Sequence, residues 1–306
     1  MNKQTPSSAA ESGADSQSRR LAGVVMVLLG GACLSTSGIL IRNLESAGGW
    51  QILFYRGLFF FLTMVLFLIV RYRGRFLASL YATGKPGVFI GVILGLASVL
   101  YVFGILSTTV ANVVFIISAA PLITALLARV IVGERPSTGT WAAMVAALCG
   151  VGLMVSDGLT GGGLLGVLCA LGVAISFAAL LITLRINKSV DMLPALCIGG
   201  VVSAVIAAVM TTDLGISLHD MAICFTLGTV QFGAGFILIT LGARYLLAAE
   251  TALLSLTETV LAPLWVWLSV NETPSVLTLA GGIVVMLAVA TRAAFSANKR
   301  TPISPA

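Results

Sequence analysis

Apolar residues run along this chain in blocks of about 20, separated by short polar stretches, and strict apolar–polar alternation is absent. About 20 such residues are what a helix needs to cross the hydrocarbon core of a bilayer. Lipid offers a backbone group no partner outside its own helix, so the blocks predict helices and not strands. Ten membrane-spanning helices are expected, at residues 21–42, 50–70, 86–107, 110–132, 138–157, 163–185, 192–212, 219–242, 247–270 and 275–295. Residues 1–18 are small and polar and are expected to form a disordered tail; residues 297–306 form a second tail. Arg19 and Arg20 ahead of an apolar run resemble a signal peptide. That run is too long for a signal peptide's apolar region and lacks a clear small-x-small cleavage site, so it reads as the first span.

Composition agrees. Of 306 residues, 58% are hydrophobic and 9% charged, with a mean hydropathy of +1.09; soluble domains carry about 25% charged residues. The net charge of +6 does not point to nucleic acid, because the basic residues lie at the ends of apolar runs and form no interleaved patch. They set an orientation instead. With a cytoplasmic N-terminus, the inside segments hold Lys3, Arg19, Arg20, Arg71, Arg73, Arg75, Lys85, Arg129, Arg135, Arg185, Lys188, Arg244, Arg292, Lys299 and Arg300. Arg42 falls in an outside loop and Arg56 within a span. This asymmetry supports an even number of spans with both termini cytoplasmic.

The five cysteines lie in apolar runs without zinc-ligand spacing and read as small apolar side chains. His219 is the single histidine and falls in an outside loop, so no His metal cluster or Ser-His triad can form within the chain. A Gly-rich nucleotide loop is absent. No enzyme activity, cofactor or intrinsic ATPase is expected.

The chain repeats itself. "ANVVFIISAAPLITALLARVIVGERPS", from Ala111, matches "AETALLSLTETVLAPLWVWLSVNETPS", from Ala249, at an offset of 138. Glu134 falls on Glu272, Pro136 on Pro274 and Ser137 on Ser275. Each half begins with a helix ending in arginine, Arg42 or Arg185. Two five-helix halves are expected, residues 19–158 and 159–296. An odd number of spans per half inverts the second relative to the first, a recurring build of secondary transporters with the solute site near the midplane.

These paired stretches resemble the fourth-helix signatures of EamA-type members of the drug/metabolite transporter superfamily, and the resemblance covers residues 19 to 296. It implies ten helices in two inverted halves, a bacterial inner membrane and movement of amino acids, nucleotide-related metabolites or other small organic solutes, often outward. One departure stands out: the second signature usually has Glu-Pro, whereas here Glu258 is followed by Thr259 and the proline is Pro263. That places the implied kink about one turn nearer the outside.

Small residues recur at four-residue spacing, Gly87, Gly91 and Gly95 in one helix and Gly166, Ala170, Ala174 and Ala178 in another, as packing seams do in membranes. Whether they also let one bundle rock on the other is a separate question. Pro121 and Pro263 each free a backbone carbonyl mid-helix and read either as hinges or as fixed kinks.

Ionisable groups in a span usually face a cavity or a partner. Glu258 lies about 16 Å deep in a helix entering from the cytoplasm. It is either a carboxyl tying helices together or a group that binds an amine-bearing solute or carries a coupling proton. Arg56 lies about 9 Å below the outer end of its helix. Side-chain tilt and depth argue against pairing it with Glu258, so it is expected to reach toward water or an outer vestibule, where it would meet an anionic group. Gln231, Asn112, Tyr101 and Ser35 complete the candidate solute site, with Trp265 and Phe232 as rings that stack on or shield a solute. The rival for Trp265, as for Trp50 and Trp267, is an interfacial aromatic belt. The rival for Ser35 and Ser37 is back-bonding to their own helix.

The residues therefore predict an all-α membrane protein, a secondary transporter of small polar organic solutes working by alternating access, with proton coupling an open question. The partners are a small-molecule solute, lipid and, under coupling, protons. The alternatives are an uncoupled facilitator or exchanger, and an accessory or sensory membrane protein that moves nothing.

Overall fold

A computed structural model describes residues 6–133, 138–160, 163–187, 190–246 and 248–298, and among these there is no strand. The first expected span is α1 (Pro6–Ser35) and α2 (Ser37–Arg42), separated by a turn at Thr36. The second is α3 (Gly49–Tyr72), followed by a 3-10 turn and the short α4 (Phe76–Ala82). The third is α5 (Gly84–Ser107). The fourth is divided into α6 (Val110–Ile117), α7 (Ala120–Leu127) and a π-helical turn, Ala128–Val132. Next come α8 (Thr138–Thr160), α9 (Leu164–Ile186) and α10 (Ala195–Met210). The eighth expected span is α11 (Leu218–Thr226), a π-helical segment (Leu227–Ala234) and α12 (Gly235–Gly242). The chain closes with α13 (Ala248–Val270) and α14 (Val276–Asn298).

Among the described residues, six helical stretches are long and apolar enough to cross a bilayer: Gln17–Arg42, Gly49–Ala82, Gly84–Ser107, Val110–Ile131, Leu164–Leu184 and Leu218–Tyr245. Thr138–Met154, Ala195–Met210, Leu254–Val270 and Val276–Thr291 are shorter apolar helices. All ten coincide with expected blocks.

Two local features differ from a reading of plain helices. The helical backbone begins at Pro6, inside the stretch expected to be a disordered tail. Beyond Pro6, residues 7–18 contain no proline and a single glycine, Gly13, so nothing in their backbone chemistry breaks a helix. Residues 1–5 and 299–306 lie outside the described residues. The fourth span breaks at Ser118–Ala119, where Pro121 sits in the first turn of α7 and cannot donate to a preceding turn. Pro263, by contrast, lies inside an unbroken α13.

Small residues determine how the helices meet. On α3 the buried positions are Ile52, Leu53, Arg56, Gly57, Phe60, Met64 and Leu68, a stripe at three- and four-residue spacing that turns inward. A Cβ on Gly57 would lie 2.9 Å from the Gly200 carbonyl oxygen, and a Cβ on Gly200 would lie 2.9 Å from that of Gly57. Gly150 on α8 and Gly281 on α14 make the same reciprocal contact, at 2.6 and 2.4 Å. Of the glycine stripe on α5, Gly91 and Gly95 press on Ile198 and Val202 of α10, whereas Gly87 faces only its own Thr83. Ala170, Ala174 and Ala178 of α9 are fully buried.

Candidate functional site

The break at Thr36 places polar groups in the bundle interior. Ser35 Oγ donates to the Ala32 carbonyl at 2.7 Å, the back-bond typical of a helical serine. It also accepts from Trp265 Nε1 at 2.9 Å, tying α13 to the first span. Trp265 is thus an inward ring and not part of an interfacial belt, while Trp267 is 52% exposed. Trp50 packs edge-on against Phe103. Ser37, just past the break, does not back-bond; its hydroxyl pairs with that of Tyr101 on α5.

Tyr101 leads to Arg56. The guanidinium carbon lies 4.3 Å from the Phe232 ring centre and 5.5 Å from that of Tyr101. Nη1 donates to Ser98 Oγ at 2.9 Å. Arg56 is only 2% exposed, which corrects the expectation that it reaches toward water or an outer vestibule. Its position on the inward stripe of α3, four residues before Phe60, decides this. Burying an unpaired ion costs several kcal/mol even after relaxation. Against that, a charge-assisted hydrogen bond is worth about 1.5–3 kcal/mol and a desolvated cation–π contact about 2 kcal/mol. These are of one order, so the cation is tolerated without a carboxylate beside it.

Gly228 is what brings the π-helical segment against α3: a Cβ there would lie 2.7 Å from the Arg56 carbonyl oxygen and 2.5 Å from Phe59 Cβ. The wider turn of this segment carries Gln231 and Phe232 inward, and π turns recur at functional sites. Gln231 is buried, and its Nε2 donates to the Leu34 carbonyl at 3.2 Å. Arg56 Nε and Gln231 Oε1 are the two buried side-chain polar atoms without a hydrogen-bond partner among the described residues.

Glu258 lies on α13 on the same face as Ala262 and Trp265, the face whose indole reaches Ser35. Its amide nitrogen would sit 3.7 Å from a Cβ on Gly31. It is half-buried and makes no hydrogen bond or ion pair among the described residues. It is not paired with Arg56, as tilt and depth predict. Asn112 stands apart. Its amide donates to Thr108 Oγ1 at 3.1 Å and its carbonyl accepts from Thr278 Oγ1 at 2.8 Å, so both ends are engaged in joining α6 to α14. Of the expected site, the fold therefore gathers Arg56, Tyr101, Phe232, Gln231, Ser35, Trp265 and Glu258 and leaves Asn112 outside. Ser98, not singled out from sequence, is the direct partner of Arg56; its signal is a position three residues before Tyr101, on the same face of α5.

The two ends of the bundle differ. At the end where α3 begins, Arg42 Nε donates to Glu272 Oε2 and Arg42 Nη2 to the Thr108 carbonyl, while Val110 N donates to Glu272 Oε1, all at 2.8 Å. Beside them Asp220, fully buried, accepts from the amides of Glu45, Ser46 and Ala47 and from Ser46 Oγ at 2.8–3.0 Å. At the end where α3 finishes there is a cavity of about 510 Å³, lined among others by Ile90, Leu180, Leu196, Phe236, Asp191 and Arg244. Asp191 accepts from Tyr72 at 2.6 Å and holds Arg71 and Arg244 loosely, at 3.6 and 3.7 Å.

No curated protein matches this chain. A solved structure described only as "Crystal structure of protein" is 17% identical, with a TM-score of 0.62, over 90% of this chain and 98% of that one, a likeness of fold alone. A family model for the EamA-like transporter family matches residues 21–156, the stretch from the first span through α8. The chain's apolar helices are those of a multi-pass membrane protein, and residues 21–156 are similar to the EamA-like transporter family.

Proposed function

We propose that the chain is a secondary transporter that moves small polar organic solutes across the inner membrane of a bacterium by alternating access. The ten apolar helices are ten spans with cytoplasmic termini, arranged as two inverted halves, residues 19–158 and 159–296. The reciprocal contacts of Gly57 with Gly200 and of Gly150 with Gly281 support the inversion, because each joins corresponding helices of the two halves as a two-fold axis would. The basic-residue pattern puts the Arg42 end outside and the Asp191 end in the cytoplasm. The Arg42–Glu272 and Asp220 contacts at the outer end and the cavity at the inner one fit an inward-facing arrangement.

One observation carries the reading. Both halves contribute to an interior polar cluster in which Glu258 has no partner among the described residues, and an ionisable group in a span without a partner is a functional group by default. Glu258 and Gln231 contact the solute, with Phe232 and Trp265 as shielding rings, and Glu258 carries the proton if transport is coupled. The test is flux of a metabolite panel into proteoliposomes, with and without a pH gradient. Saturable flux of at least one compound is expected. A gradient that never alters the flux removes coupling and leaves a facilitator or exchanger. No flux across the panel favours a protein that moves nothing.

A further inference from the structure

We propose that Arg56 is the receptor for a carboxylate on the solute, held by the Nε–Nη2 edge of its guanidinium, so that the cargo is a small organic carboxylate with an apolar remainder. The inference rests on the transport reading and narrows its cargo. Nη1 is occupied by Ser98, whereas Nε has no acceptor and Nη2 makes no hydrogen bond among the described residues. Those two nitrogens form one side of the planar fork, whose parallel N–H groups match the two oxygens of a carboxylate.

The protein's own acids do not fill this edge. Glu258 is not paired with Arg56, and Asp220 is saturated by the amides of Glu45, Ser46 and Ala47. Phe232 and Tyr101 make ring contacts with the cation, and a flat, bidentate anion matches the free edge of the fork. One wall of the site is aromatic: Phe60 lies 4.5 Å from Phe232, ring centre to ring centre. Phe236 lines the cavity at the Asp191 end and packs edge-on against Phe232 at 4.7 Å, so a run of aromatic rings leads from that cavity to the guanidinium.

The experiment compares acids with their primary amides on the purified full chain in detergent. Phenylacetate, mandelate and 4-methylvalerate, each paired with its amide, are titrated while thermal unfolding is followed, since a ligand of the folded state raises Tm. The acids are expected to raise Tm and the amides to leave it unchanged. Arg56→Lys, which keeps charge but loses the fork, is expected to weaken acid binding by about tenfold or more. Ser98→Ala, which removes the guanidinium's hydrogen bond and frees it to turn, is expected to lower the unliganded Tm and to reduce the preference for acid over amide. If Arg56→Lys does not fold, the acid–amide comparison and Ser98→Ala decide. The proposal is overturned if amides stabilise as well as acids, if none of the acids binds, or if Arg56→Lys binds them undiminished. Flux of the same compounds in proteoliposomes separates the two claims. Transport without acid preference sinks the carboxylate site alone, and acid binding without any flux sinks the transport reading alone.

Discussion

Arg42 and Glu272, 230 residues apart, meet at 2.8 Å, and the same carboxylate also takes the amide of Val110. One acid thereby joins the end of the first span, the start of the fourth and the loop before α14. In an alternating-access cycle this triple contact has to break for the outer end to open. Glu272→Gln removes the charge but not the size. In a cysteine-free background it is expected to raise labelling of Ser37→Cys, by a membrane-impermeant thiol reagent added outside, about fivefold, the ratio that about 1 kcal/mol sets. Unchanged labelling would show that this contact does not hold the outer end shut.

Glu258 has no hydrogen bond or ion pair to lose among the described residues, so Glu258→Gln should leave the fold intact. It also removes the desolvation cost of a carboxylate, so the Tm of the purified chain is expected to equal or exceed the wild-type value. Transport is expected to fall by about tenfold or more if the carboxylate contacts solute or proton. A fallen Tm with normal flux would make Glu258 a structural tie.

Asp220 is the opposite case. Its four accepted hydrogen bonds hold residues 45–47 over the start of α11. In Asp220→Asn an NH₂ group would replace an oxygen that faces N–H donors, at a cost of about 2–3 kcal/mol. Thermal unfolding should show a marked drop in Tm; an unchanged Tm would mean that the loop is held by other contacts.

Gly57 and Gly200 face each other through their backbones. A Cβ on Gly57 would lie 2.5 Å from Ser203 Oγ, and one on Gly200 would lie 3.0 Å from Phe61 Cβ. Gly57→Val and Gly200→Val are each expected to destabilise by about 1–3 kcal/mol through overpacking. If either variant unfolds like wild type, the α3–α10 contact is looser than the reciprocal geometry requires.

Asn112 supplies a control for the site. Asn112→Ala breaks its bonds to Thr108 and Thr278 and should lower Tm, by the order of 1 kcal/mol for each bond lost. Apparent affinity for any transported solute should not change. A selective loss of affinity would return Asn112 to the solute site.

Much of the fold was legible because burial in lipid acts on each block of sequence separately. Every expected span coincides with an apolar helix, and the basic residues at block ends are local facts too. Glu258 and Gln231 were visible for the same reason, as costly groups in apolar surroundings. Asn112 carried the same signal, yet packing gives it Thr108 and Thr278 as partners. Ser98 carried almost no signal, because a serine in a glycine-rich helix looks like one that back-bonds.

What sequence alone determined, then, is the helices and the polar groups they carry, since both follow from the cost of exposing backbone and charge to hydrocarbon. Tertiary structure decided where each helix turns its faces. Arg56 looked like a charge reaching for water until the inward stripe of α3 and the π-helical segment at Leu227–Ala234 buried it against Phe232 and Tyr101. Rotation about a helix axis costs nothing in an isolated span; only the neighbours, pressed close at Gly57, Gly228 and Gly200, give it a value.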